Sequence, residues 1–81
     1  MPVTVAHGAW VTPGTTQVFA LLADEGGNLL LARGVTVPSD GEIGYAKGCL
    51  FIDVDVAAGT SGLYVNVGVV GSANFDLVTD A

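Results

Sequence analysis

Positive charge is nearly missing from this 81-residue chain: Arg33 and Lys47 are its only Lys or Arg, against eight Asp and Glu, for a formal net charge of −6. A nucleic-acid binder displaces phosphate counterions with clustered cations, and two isolated ones make no such patch. Direct DNA or RNA binding is therefore not expected, nor is electrostatic attachment to an anionic membrane. The acidity suits solubility, or a basic surface on a protein partner.

Cysteine and histidine are equally scarce. The lone Cys49 forbids an internal disulfide, and the lone His7 forbids a multi-histidine metal site or a His dyad. A Cys49–His7 nucleophile pair has no support, because Cys49 sits among Gly48, Leu50 and Phe51 without the electropositive neighbours that activate a thiolate. It reads as a small buried hydrophobe. Asp53 and Asp55 are two apart and would face the same way in a strand, forming half of a Ca²⁺ site with Asp76 or Asp40. Ca²⁺ needs six to eight oxygens from ordered loops, however, and no EF-hand spacing is present. A solvated outer face is the expectation there. Gly44–Gly48 lacks the length, the Lys-Ser/Thr ending and the following helix of a phosphate loop. Neither an enzymatic activity nor a metal or cofactor is expected.

Unbroken apolar runs are also missing. Met1–Ala23 and Val56–Phe75 are poor in charge and long enough to span a bilayer, but Pro2, Pro13, Gly8 and Gly14 interrupt the first, and Gly59, Gly62, Gly68 and Gly71 the second. The start of the chain has neither the cationic segment nor the continuous apolar core of a secretory signal, so synthesis in the cytosol with a reduced Cys49 is expected.

What is abundant points to strands and to self-association. Thirteen Val, seven Thr and twelve Gly favour pleated strands and tight turns. A domain of this size buries only about 60–65% of its unfolded surface. Yet 51% of the residues are hydrophobic and 12% charged, so part of the apolar surface belongs in contacts between copies. The expected fold is all-β, a small antiparallel barrel or sandwich in residues 15–81 with an extended arm over residues 1–14, assembled as a homotrimer. Val-x-Val occurs at Val3–Val5, Val35–Val37, Val54–Val56 and Val65–Val67, and in a strand each copy puts its valines on one face and the polar residue on the other.

Thr16–Ala23 and Asn28–Val37 flank Asp24-Glu25-Gly26-Gly27 as the arms of a hairpin. A short helix over Gln17–Glu25 competes, since Val18, Phe19, Leu21 and Leu22 fit a helical stripe. After the turn cluster Pro38-Ser39-Asp40-Gly41 come strands over Cys49–Val56, Leu63–Val70 and Phe75–Thr79, expected as an antiparallel meander. Tyr45, Phe51, Tyr64 and Phe75 form the expected aromatic core, with the tyrosine hydroxyls at its edge. Trp10 and the two tyrosines are the only aromatics suited to a sugar-binding platform.

The run Gly44-Tyr45-Ala46-Lys47-Gly48-Cys49-Leu50-Phe51, continued by Leu63-Tyr64-Val65-Asn66-Val67-Gly68 and Ser72-Ala73-Asn74-Phe75, reads GYxxGCxF…LYxNxG…SxxF. It resembles a pattern in small virion proteins of tailed bacteriophages, of the capsid decoration or head-fibre type. The resemblance covers about the C-terminal half of the chain. It implies a decoration, or cement, protein that binds the exterior of a phage capsid, with the major capsid protein and copies of itself as partners. No long stalk is present, so a compact decoration subunit fits better than a fibre. The matched positions Gly44, Tyr45, Gly48, Cys49, Phe51, Tyr64, Asn66, Gly68 and Phe75 look like turn and core positions. Val3, Val5, Trp10 and Val11 in the arm are the candidate capsid-gripping residues, Trp10 as the anchor. The alternative is a small receptor- or carbohydrate-binding β module of a virion or a bacterial surface.

Overall fold

The hairpin is present, and the helical alternative is not. In the computed structural model, which describes residues 8–59 and 61–78, β2 (Val18–Ala23) and β3 (Leu29–Gly34) pair antiparallel through Phe19↔Arg33, Ala20↔Ala32 and Ala23↔Leu29. A stretch this short does not sustain an isolated helix in water, whereas strand pairing buries Val18 and Ala32 completely. The Asp24 carboxylate closes the turn, accepting hydrogen bonds from the amides of Gly26 and Asn28, both at 2.9 Å.

Four more strands complete the structure: β1 (Ala9–Val11), β4 (Tyr45–Asp53), β5 (Leu63–Asn66) and β6 (Phe75–Leu77). All six lie in one sheet in chain order, with β1 and β6 at its edges, and no helix occurs among the described residues. The chain is thus all-β, but the sheet does not close into a barrel. The expectation of purely antiparallel pairing is corrected at one place, because β3 and β4 run parallel. A parallel neighbour requires the chain to cross back, and residues 35–44 make that crossing without a helix.

This crossing converts an expected strand into a cover. Val35-Thr36-Val37 lies in it, with Val37 packed on the core and Pro38 buried. Residues 67–74 fold beside it, Ala73 N–H donating to the Glu42 carbonyl and Gly41 N–H to that of Ala73, both at 2.8 Å. Together the two segments cover one face of the sheet. Val18, Leu29, Ala32, Tyr45, Cys49, Phe51, Ala73 and Phe75 form the core there. Each large apolar side chain fully buried contributes about 1.5–3 kcal/mol.

Two further strand expectations shift their ends. The strand expected over Cys49–Val56 begins earlier, at Tyr45, and stops at Asp53, so Val54-Asp55-Val56 is turn. The strand expected to Val70 ends at Asn66 and gives way to a tight loop bridged between Val69 and Ser72. The segment expected as an arm contributes β1, an edge strand paired with β2 through Trp10↔Phe19 and Val11↔Val18. Val3, Val5 and His7 lie outside the described residues.

Candidate interaction surface

Tyr45, Cys49, Phe51, Tyr64, Asn66 and Phe75 of the GYxxGCxF…LYxNxG…SxxF pattern converge on the covered face. Tyr45 and Phe51 are fully buried, and both meet Phe75 edge-on, with ring centroids 5.2 and 6.0 Å away. Tyr64 packs against this group from its rim. Cys49 is buried beside them, and burial pushes its thiol up to about 12, so it remains protonated and inert at neutral pH. One expectation fails: the Tyr45 hydroxyl is not at the edge of the core. It is buried with no hydrogen-bond partner among the described residues, and burial, then the nearby Glu42 and Cys49, raises its pKa.

Asn66 explains why this motif needs an amide. It is 1% exposed, and its Nδ2 donates to the carbonyls of Tyr45 (3.2 Å) and Ala46 (3.0 Å). Its Oδ1 accepts from the amides of Gly68 (2.9 Å) and Asn74 (2.8 Å). One side chain thereby ties the start of β4, the end of β5 and the loop into β6. In Val65-Asn66-Val67 it is the polar residue that faces the core, while Val67 is exposed. The backbone that Asn66 holds is irregular. β4 advances from Tyr45 to Leu50 while β3 advances only from Leu29 to Leu31, a wide bulge containing Gly48 at φ +85°. Gly44 has φ +91°, and a Cβ there would stand 2.6 Å from that of Pro13, so only glycine fits. A Cβ at Gly68 would meet the Ser72 carbonyl oxygen at 2.4 Å. These residues build the scaffold.

The opposite face of the sheet is where a partner can be met. Because residues paired across strands share a face, the register defines two cross-sheet rows. One runs Trp10, Phe19, Arg33, Ile52, Leu63 from β1 to β5. The other runs Leu22, Leu31, Leu50, Val65, Asp76 from β2 to β6. Trp10 is 57% exposed, and Leu22, Leu50 and Ile52 are exposed as well. The Arg33 guanidinium lies 4.4 Å from the Phe19 ring centroid and 5.8 Å from that of Trp10, a cation–π arrangement that leans it towards β1. Trp10 and Phe19 themselves pack edge-on at 5.0 Å. An open apolar sheet face is a candidate interaction surface.

Sequence reasoning placed only Trp10 on this surface. Val11 alternates to the other side from Trp10 and packs, partly buried, against the core. The signals for the rest were the pairs Leu31-x-Arg33, Leu50-x-Ile52 and Leu63-x-Val65, whose alternation becomes a surface only once their register is known. Asp53 and Asp55 do not share a strand face: Asp55 is in the turn, and its amide donates to Asp53 Oδ1 at 3.0 Å. Among the described residues, no group of three or more His, Cys, Asp or Glu could hold a metal ion. No protein-family model, curated protein or solved structure matches the chain.

Proposed function

We propose that this chain is a non-catalytic, self-associating capsid decoration subunit that binds the exterior of a phage head and stabilises joints between capsid subunits. The open apolar face carrying Trp10, Leu50 and Ile52 supports the reading, because burying such a surface in an assembly is the work a cement protein performs. Binding the assembled shell in preference to free subunits shifts the equilibrium away from dissociation. A homotrimer grips several capsomers at once, and multivalency lets weak individual contacts suffice. The major capsid protein is the partner, and the virion exterior is the site of action.

The carbohydrate-binding alternative loses most of its aromatic platform, since Tyr45 is fully buried and Tyr64 packs against the core. An open depression of about 390 Å³ lined by Asp40, Lys47, Val67 and Asn74 offers no aromatic stacking surface either. The test is co-sedimentation with empty shells assembled from the cognate phage's major capsid protein. Saturable co-pelleting and a raised shell melting temperature are expected. No binding at micromolar concentrations overturns the reading.

A further inference from the structure

We infer that the open sheet face is where copies of this chain meet, the β1–β2 side of one copy lying against the β5–β6 side of the next, with Arg33 facing the neighbour's Asp76. The inference rests on the self-association part of the proposed function and gives that association a surface and a direction.

Charge selects the occupant. The chain carries −6, so copies repel wherever acidic groups meet. Asp24 and Glu25 lie in the β2–β3 turn, Asp40 and Glu42 in the β3–β4 crossing, Asp53 at the end of β4 and Asp55 in the turn after it. The two rows on the open face hold one cation, Arg33, and one carboxylate, Asp76, and are neutral together. Two copies of an acidic protein can approach there without a like-charge penalty.

The two charges are also separated across the sheet. Arg33 leans over Phe19 towards β1, and Asp76 stands on the far edge strand β6. Any rotation axis running along the strands brings the first side of one copy to the second side of its neighbour and pairs the charges at every contact. An axis across the strands sets each strand against its own copy and leaves both charges unmatched. Six strands spaced about 4.8 Å apart make a face about 24 Å wide, and three such faces around an axis lie about 7 Å from it. Side chains the length of Leu31, Leu50 and Ile52, on the central strands, fill that distance. Ten side chains fall short of the roughly 20–30 residues a side of a standard interface. Ring closure, in which each copy touches two neighbours, compensates, and the assembly is concentration-dependent.

The experiment is sedimentation equilibrium of the full chain from about 1 to 200 µM, with circular dichroism checking the β fold of every variant. Wild type is expected to approach three times the 8.1 kDa chain mass. Arg33→Glu or Asp76→Arg should each weaken association about tenfold or more, and the double charge swap should recover most of the loss. Leu50→Glu should yield folded monomers. Asp76 is exposed at the edge, so its variant reports on association even if Arg33→Glu fails to fold. A wild-type monomer throughout, single swaps without effect, or a double swap no better than either single overturns the inference. A closed species of two copies overturns the three-fold arrangement. If the assembly forms and responds to the swaps while empty shells are not bound, the capsid reading fails and this inference stands.

Discussion

Thr15 and Glu42 are joined twice although 27 positions separate them: the Thr15 amide donates to Glu42 Oε1 at 2.8 Å, and its hydroxyl donates to Oε2. The β1–β2 connection is thus fastened to the β3–β4 crossing through a buried carboxylate. Charge-assisted hydrogen bonds of this type are roughly twice as strong as neutral ones. The Glu42 carbonyl meanwhile accepts from Ala73, so the same residue also holds the loop before β6.

This carboxylate makes the fold acid-sensitive. Burial by itself would raise the Glu42 pKa, but the Thr15 hydroxyl and the Thr15 and Thr16 amides together outweigh it and lower it from 4.5. A depressed folded-state pKa contributes stability that is fully present above the unfolded value and is lost as pH falls through the folded value. Wild-type stability should therefore decline below pH 4.5. Glu42→Gln should cost about 1–3 kcal/mol at pH 7 and flatten the decline. Urea titrations between pH 3 and 7 check this; an unchanged acid slope in the variant would assign the sensitivity to other carboxylates.

Asn66 should be among the least replaceable side chains. Asn66→Ala strands two carbonyls and two amides, each costing about 1–3 kcal/mol where water cannot reach, though not additively. A chain of this size has a total stability of about 4–12 kcal/mol. The variant should lose at least about 3 kcal/mol, and Asn66→Asp should also fail because a carboxylate cannot donate to Tyr45 and Ala46. Thermal melting decides it: a variant within a few degrees of wild type would mean that solvent replaces those bonds.

How much of this was legible beforehand follows from the range of the interactions. The β2–β3 hairpin was legible because its turn chemistry is local, Asp24 and the following glycines being adjacent in sequence. The aromatic core was legible because Tyr45, Phe51 and Phe75 have few alternatives in so small a chain. The parallel β3–β4 pair was not, because residues 35–44 carry a Val-x-Val alternation that resembles a strand and reveal their covering role only through contacts with residues 67–74. Asn66 was legible as a turn or core position, but its role as a clamp was not, since the Tyr45 and Ala46 carbonyls it binds lie about twenty positions away in sequence. The open face was half legible. Its apolar residues alternate visibly, but their assembly into two rows with Arg33 and Asp76 depends on register, which a bulge in β4 shifts.

The buried phenol and thiol should respond in opposite ways to small substitutions. Tyr45→Phe removes a hydroxyl that has no partner, so stability should stay level or rise by about 1 kcal/mol. Cys49→Ser puts a more strongly polar group into the same core and should cost about 1–3 kcal/mol. Cys49 should also react slowly with thiol reagents at pH 8 in the native protein and rapidly in denaturant. Denaturant midpoints and labelling rates test the three expectations, and a marked loss in Tyr45→Phe would reveal an acceptor for the hydroxyl.

Trp10 separates folding from binding. Its ring is 57% exposed on an edge strand, held only along one side by Phe19 and by the Arg33 guanidinium. A half-solvated aromatic of this kind adds little to the fold, because much of its surface stays in water, yet it presents a large rigid apolar area to a partner. Trp10→Ala should leave the β signal intact and cost no more than about 1.5 kcal/mol, the upper range for an aromatic pair beyond area burial. Trp10 stands in the row proposed to meet the next copy, so on empty shells the same change should weaken co-sedimentation at least about tenfold through loss of the multivalent assembly, and reduce the heat resistance the protein confers. Removal of residues 2–8, which leaves Trp10 and β1 in place, separates the leading segment from the anchor. If the truncated chain binds and protects shells as the intact one does while Trp10→Ala does not, shell binding requires the edge strand and its tryptophan and not the leading segment. If both behave like wild type, the capsid is held by a surface other than this edge.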